Sequence, residues 1–260
     1  MRSLLAGLSA ADIRTDPFPH IVADRPMEAG LYEALSAGFP PFQRMGWDCG
    51  PEDMPNNRRF ELSARMILDA PDLPEVWKDF VERHSGPDFL AEVAALFDGH
   101  WDPAMLAALD GRITGHDTGR RSLTDQGDHR IIQDARMEIN TPVRGRPSSS
   151  RRAHLDTPNR LFSCLFYLRT PEDDAVGGDL LLYRWRPGAT RRADTYELPE
   201  EAVEVAATVP YAANRLVIFP QNIDALHGVG IRHPTPHTRR YVFITAELTH
   251  DWLVPPATKA

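Results

Sequence analysis

The feature that most constrains this chain is a string of short apolar runs in its second half. Ile131 to Asn140, Leu161 to Leu168, Asp179 to Trp185, Val203 to Val209, Arg215 to Phe219 and Arg240 to Leu248 are rich in β-branched and aromatic residues, and Pro, Gly, Asn and Asp cluster between them. Runs of that length bounded by turn formers read as strands. No helical periodicity lies between them, so the crossover helices that a parallel sheet needs are missing. The spacing predicts an antiparallel sandwich or barrel over 131–250.

Residues 1–130 follow another pattern. Asp24 is placed to cap a helix with Pro26 in its first turn, and Met27, Leu31 and Leu35 recur at spacings of four, which predicts an amphipathic helix ending near Gly38. A second helix is expected from Pro74, with Val76, Phe80 and Val81 on one side and Gly86 after it. Phe89 to Phe97 continues the pattern, as does Pro103 to Leu109 between Asp102 and Gly111. The Pro- and Gly-rich stretch from Phe42 to Asn57 is expected to be a long loop. We read 1–260 as one domain, mostly helical over 1–130 and β over 131–250.

Composition narrows the partners. A 260-residue chain with 42 % apolar residues can bury one large core, and a net charge of -8 argues against polyanionic partners such as nucleic acid or an anionic membrane. Only two of the 29 basic residues, Lys78 and Lys259, are lysines, a skew that fits the codon bias of a GC-rich genome. Cys49 and Cys164 are the only thiols, which supports neither a disulfide framework nor a zinc knuckle and leads us to expect a reducing, cytoplasmic setting. The apolar start, Met1 to Leu8, is too short for a secretory signal, and no window approaches the ~20 apolar residues of a membrane span.

The chemistry-bearing stretch is Arg152-Ala153-His154-Leu155-Asp156-Thr157, between the first two strands of the β half. Residues i and i+2 of an extended segment point to one side, so His154 and Asp156 can offer an imidazole nitrogen and a carboxylate oxygen to one point. His227, just after the strand Leu216 to Phe219, is the candidate third ligand. Two histidines and one carboxylate leave coordination positions open, as non-haem Fe(II) chemistry requires, and zinc accepts the same set. Arg240 shares a strand face with Val242, Ile244 and Ala246. If that apolar face points into the barrel, Arg240 goes with it and needs an anionic partner, with Arg239 and Arg232 as fallbacks. Tyr167, on the face of Leu161, Ser163 and Leu165, is placed to reach the same anion.

The ordered set His154-Leu155-Asp156, Leu165-Phe166-Tyr167-Leu168, Gly177-Gly178-Asp179-Leu180, Arg215 to Phe219, His227-Gly228-Val229 and Arg240-Tyr241 resembles the Fe(II)/2-oxoglutarate-dependent oxygenase superfamily, in its prolyl-hydroxylase-type branch. The resemblance covers about Ile131 to Leu248, and Pro17 to Val22 is also similar to the opening of many bacterial members. It implies a double-stranded β-helix (a jelly-roll, cupin-like core) buttressed by amino-terminal helices. It further implies His154, Asp156 and His227 as iron ligands, Arg240 pairing with the 2-oxoglutarate C5 carboxylate, and Tyr167 supporting that carboxylate. Asn140 stands where such members often carry a tyrosine near 2-oxoglutarate. The stretch from Arg186 to Pro210 departs from the pattern as a long insertion.

The implied reaction converts 2-oxoglutarate and O2 to succinate and CO2 while oxidising a substrate, with ascorbate as reductant. Halogenating members lack the carboxylate ligand, so the intact Asp156 argues against halogenation and leaves hydroxylation as the main expectation, with desaturation, epimerisation or ring closure as other outcomes of the same chemistry. Nucleic-acid demethylases of the family carry a second arginine six residues after the first, where this chain has Ala246. A small-molecule substrate is expected; Arg136, Arg144, Arg146, Arg151, Arg152 and Arg184 surround the site in sequence and could bind a carboxylate or phosphate, with Arg152 and Arg136 as the candidate contacts. The alternatives are a peptidyl, prolyl-type hydroxylase, a cupin-like binding module without turnover, and a zinc hydrolase.

Overall fold

The computed structural model describes residues 1–46, 49–50, 53–122, 128–193 and 196–253. Of the loop read over 42–57, positions 47, 48, 51 and 52 lie outside the described residues, as do 194 and 195 of the 186–210 stretch.

The six runs of the second half all form strands: β4 (Ile131–Asn140), β5 (Arg160–Tyr167), β6 (Leu180–Trp185), β7 (Val203–Val209), β8 (Arg215–Pro220) and β10 (Arg239–Leu248), with a short β9 (His227–Val229) before the last. Three further strands come from the first half: β1 (Ile21–Asp24), β2 (Arg59–Leu62) and β3 (Thr118–Arg120). The main sheet runs β1-β8-β5-β10-β4-β2, with β3 pairing parallel to β4, and the smaller sheet runs β7-β6-β9. A further segment joins the smaller sheet beside β9 through the bridges Ser148↔Arg232 and His154↔His227. In chain order, β4, the 148–154 segment, β5, β6, β7, β8, β9 and β10 therefore pass between two antiparallel sheets. This is the winding of a double-stranded β-helix, and the chain is mostly β with a helical layer.

Five helices make that layer: α1 (Ala29–Ala37), α2 (Ala64–Leu68), α3 (Glu75–His84), α4 (Pro87–Leu96) and α5 (Pro103–Ala108). Asp24 does not cap α1: it ends β1 and pairs with Arg215, and the Glu28 side chain instead accepts from the Gly30 and Leu31 amides. The first half is thus less purely helical than its periodicity predicts. Its strands have four residues or fewer, and β2 is an edge strand reading Arg-Phe-Glu-Leu, too short and too charged for alternation to register. Ten residues of the 186–210 stretch form β7 and the one-turn helix before it (Glu200–Ala202).

Both faces of the main sheet are covered, so β4 and β5 are buried at every position. One face packs on the helices: Phe80 stacks on Phe166, and Phe89 lies against Phe162, with ring centroids 6.0 and 6.3 Å apart. Cross-strand partners share a face, so Val242, Ile244 and Ala246, opposite Phe166, Cys164 and Phe162, face the helices too. The other face, with Tyr241, Phe243 and Thr245 opposite Tyr167, Leu165 and Ser163, looks toward the smaller sheet. No helix among the described residues is long and apolar enough to cross a membrane.

His84 ties the amino terminus to the helical layer. Its Nδ1–H donates to the Phe80 carbonyl (2.7 Å), and its Nε2 accepts from the Leu4 amide (3.1 Å). Burial pushes the imidazole pKa from 6.5 down to about 3, against the opposing Phe80 hydrogen bond. The unfolded chain takes up this proton near 6.5 and the folded chain does not. The His84 contribution is complete above pH 6.5 and falls on acidification toward pH 3, by up to about 1.4 kcal/mol per pH unit. We expect His84→Gln to flatten the loss of thermal stability between pH 6.5 and 4; identical pH profiles for variant and wild type would refute this role.

Candidate metal and co-substrate site

His154 and His227 are brought together by backbone. Each donates its amide to the other's carbonyl, at 2.9 and 3.0 Å, and their ring centroids lie 4.3 Å apart. Asp156, two residues on, places Oδ1 3.8 Å from His154 Nε2 and Oδ2 3.6 Å from His227 Nε2. One ligand atom from each of the three lies within 4.8 Å of the others, and all three side chains are buried. Behind His227 the strands touch closely: a Cβ at Gly228 would lie 2.7 Å from the Arg152 carbonyl oxygen, so only glycine fits.

Hydrogen bonds set the protonation of this cluster. His154 Nδ1–H donates to the Arg152 carbonyl (2.8 Å) and His227 Nδ1–H to the Ala225 carbonyl (3.1 Å), which leaves each Nε2 lone pair for the shared centre. Burial lowers the pKa of both imidazoles, and for His154 the neighbouring His227 and Arg151 lower it further. Burial works against ionisation of Asp156, yet the facing His227, Arg160 and His154 and a hydrogen bond from the Ser163 hydroxyl hold its carboxyl below the usual carboxylate range. Two neutral imidazoles and a carboxylate result, a donor set suited to a divalent transition metal.

The cluster opens on a cavity of about 490 Å³ between the sheets. Arg239 enters it from the start of β10. Its Nε donates to the Gly178 carbonyl (3.0 Å), and its guanidinium lies 4.9, 4.9 and 4.8 Å from the ring centres of Tyr167, Tyr211 and Tyr241. No carboxylate among the described residues pairs with it, and both Arg239 Nη2 and the Tyr167 hydroxyl are buried without a hydrogen-bond partner. A buried, unpaired guanidinium beside an unpartnered phenol is a cradle for an anion that both groups can bind.

Arg239, not Arg240, therefore reaches the cavity. Arg240 lies on the opposite face of β10, over the Phe39 ring (5.1 Å) and against the Thr238 hydroxyl. The alternation was legible but its side was not: the apolar face of β10 meets the helices, and the polar face meets the cavity. Arg232 is a tie, donating to Asn57 Oδ1, the Thr141 carbonyl and the His237 carbonyl. Asn140 lines the cavity, with Oδ1 unpartnered. Arg136 does not line it; its charge is taken up by Glu138 (2.6 Å) and Asp134 (2.9 Å). Arg152 points to solvent and pairs with Glu197 and Glu200. Its neighbour Arg151, one of the arginines that surround the site in sequence, lines the cavity instead, together with Arg58, Arg59 and Tyr196, which the sequence did not single out as site residues, and Tyr241, which it carried only beside Arg240. Ser163 was on the face read for Tyr167, and its link to Asp156 follows from that face.

No family model matches the chain, and no curated protein matches it. Its structural neighbours include several prolyl hydroxylases. A Pseudomonas putida prolyl-4-hydroxylase is 15 % identical with a TM-score of 0.49, covering 95 % of this chain and 100 % of that one. A Trichoplax adhaerens prolyl hydroxylase, in complex with a hypoxia inducible factor peptide fragment, is 12 % identical with a TM-score of 0.48, covering 94 % and 89 %. The viral collagen prolyl hydroxylase of Paramecium Bursaria Chlorella virus-1, a 2OG complex, is 9 % identical with a TM-score of 0.41, covering 88 % and 96 %.

Two substitutions test the cluster. Asp156→Ala should abolish binding of Co(II), followed by its visible absorption, with an unchanged far-ultraviolet dichroism spectrum. Ser163→Ala, which removes only the hydrogen bond to the carboxylate, should weaken Co(II) binding by about ten- to a hundredfold. Full affinity in the Asp156 variant would exclude it as a ligand.

Proposed function

We propose that this protein is an Fe(II)- and 2-oxoglutarate-dependent dioxygenase that hydroxylates, or otherwise oxidises, a small molecule. The observation that carries this reading is Arg239: a buried guanidinium without an acid, beside the unpartnered Tyr167 hydroxyl, in the same cavity as a two-histidine, one-carboxylate cluster. A zinc hydrolase needs the cluster but gives no role to that cradle. A cupin-like binding module needs neither the open coordination positions nor the cradle.

In this reading His154, Asp156 and His227 hold Fe(II), with both Nε2 atoms and the carboxylate as donors. Arg239 and Tyr167 bind the distal carboxylate of 2-oxoglutarate, and Asn140 supports the co-substrate from β4. Bound together, Fe(II) and 2-oxoglutarate supply an oxidation in which O2 is divided between succinate, formed with CO2, and the hydroxylated product. Ascorbate serves as reductant. The residues keep the site ordered: the Arg152 and Ala225 carbonyls fix the imidazole rings, Ser163 orients Asp156, and the three tyrosines shield the Arg239 charge from water. Beside 2-oxoglutarate, a cavity of about 490 Å³ has room for part of a small metabolite, the substrate class we favour. Two free thiols suit the cytoplasm.

Succinate release from 2-oxoglutarate with Fe(II), ascorbate and air tests the reading, alongside the visible charge-transfer band of the anaerobic complex. Absence of both would overturn it. Arg239→Ala should raise the KM for 2-oxoglutarate by about a hundredfold, through loss of a desolvated charge partner, while Arg240→Ala changes it by less than about threefold. A larger effect at Arg240 would show that the anion cradle is misassigned.

A further inference from the structure

The cavity holds more positive charge than the metal and co-substrate reading uses. Four arginines contribute to its lining, Arg58, Arg59, Arg151 and Arg239, against two acids, Glu138 and Asp156, with the Arg58 guanidinium itself over the Phe60 ring at 5.4 Å. That is an excess of two positive charges in an acidic protein of net charge -8. A divalent ion and a dicarboxylate co-substrate, bound together, cancel one another and leave the excess in place. Glu138 is shared between Arg136 (2.6 Å) and the charge of Arg59, so Arg59 is the partnered member of the four and Arg151 is left without a carboxylate of its own.

Arg151 is the focus of the excess. It precedes the ligand pair on the 148–154 segment, and its carbonyl accepts from the Val229 amide (2.8 Å), which fixes its place beside β9. Its guanidinium forms no ion pair or hydrogen bond among the described residues, its Nε is buried without a partner, and one face stacks on Tyr196 at 4.7 Å. Residues 55–59 form the other rim, where Arg59 lies close enough to Arg151 for the two charges to repel. The two rims are joined by Asn57, whose side-chain amide donates to the Ser148 carbonyl (3.1 Å) and hydroxyl (2.9 Å). Stacking on an aromatic ring leaves the in-plane N–H groups of a guanidinium free, the arrangement in which arginine binds a carboxylate or phosphate in bidentate fashion.

We propose that Arg151, flanked by Arg58 and Arg59 and walled by Tyr196, is an oxyanion subsite distinct from the Arg239 cradle, and that it takes the carboxylate or phosphate group of the substrate. The anion site stands on the geometry alone; its role in substrate binding rests on the oxygenase reading.

The test is binding, not turnover. The full chain, loaded with Zn(II) and saturating 2-oxoglutarate, is titrated with benzoate, with phenyl phosphate and with the neutral benzamide, followed by ligand-observed NMR. We expect the two anions to bind and benzamide to bind at least about tenfold more weakly, with Arg151→Gln weakening the anions by about tenfold or more and Arg151→Lys by less. Arg239→Gln, measured without 2-oxoglutarate, should leave Arg151-dependent anion binding in place. Tighter benzoate marks a carboxylate substrate and tighter phenyl phosphate a phosphate ester; either supports the subsite. Equal binding of benzamide, unchanged binding in Arg151→Gln with a native dichroism spectrum, or loss through Arg239→Gln alone would overturn it. Arg151-dependent binding in a protein that never forms succinate would uphold the subsite while refuting the oxygenase.

Discussion

Two backbone hydrogen bonds exchanged between His154 and His227 hold the candidate centre together. They join residues from opposite ends of the β domain, one ahead of β5 and one opening β9, and they do so at the point where the smaller sheet faces Asp156. The imidazoles inherit their spacing from this bridge, and the rings are then oriented by carbonyls two residues back in each chain segment. The cavity, the cradle at Arg239 and the rim at Arg151 are all arranged around that fixed point. Peptide geometry, not side-chain packing, decides how near the ligands lie.

The main sheet works as a partition between two kinds of interior. Its helix side is filled with Phe162, Phe166, Val242 and Ile244, the ordinary apolar material of a core. Its cavity side carries Asp134, Arg136, Glu138 and Asn140 on β4 and Arg239 and Tyr241 on β10, nearly all buried. Charges there survive because they alternate. Arg136 sits between Asp134 and Glu138, and Arg160 bonds Glu247 while facing Asp156. A buried charge stripped of its partner is strongly destabilising, so the guanidiniums of Arg239 and Arg151, neither paired with a carboxylate among the described residues, stand out against the paired Arg136 and Arg160.

Much of this was legible in the chain. The six apolar runs announced the strands, and the His-x-Asp pattern with a distant histidine named the three residues that meet. What could not be read was sidedness. On β10 the residues Arg239 and Arg240 are adjacent, and choosing between them requires knowing which face the helices cover. Hydrophobic alternation points to the more apolar face, and in a sheet buried on both sides that face belongs to the helices. The same limit put Arg152 ahead of Arg151, since a one-residue step reverses direction in an extended segment. β1, β2 and β3 escaped notice because three or four residues, stabilised by pairing with longer strands, need no pattern of their own.

Gly228 gives the bridge a further property. Because a side chain there would strike the Arg152 carbonyl, the two hydrogen-bonded segments that carry the imidazoles keep the spacing of one antiparallel ladder. Such a caliper does not stretch. Side chains lining the cavity can be exchanged to admit new molecules while the span between the imidazoles keeps one value, so the domain can diversify what it binds without retuning the ion it is built to hold.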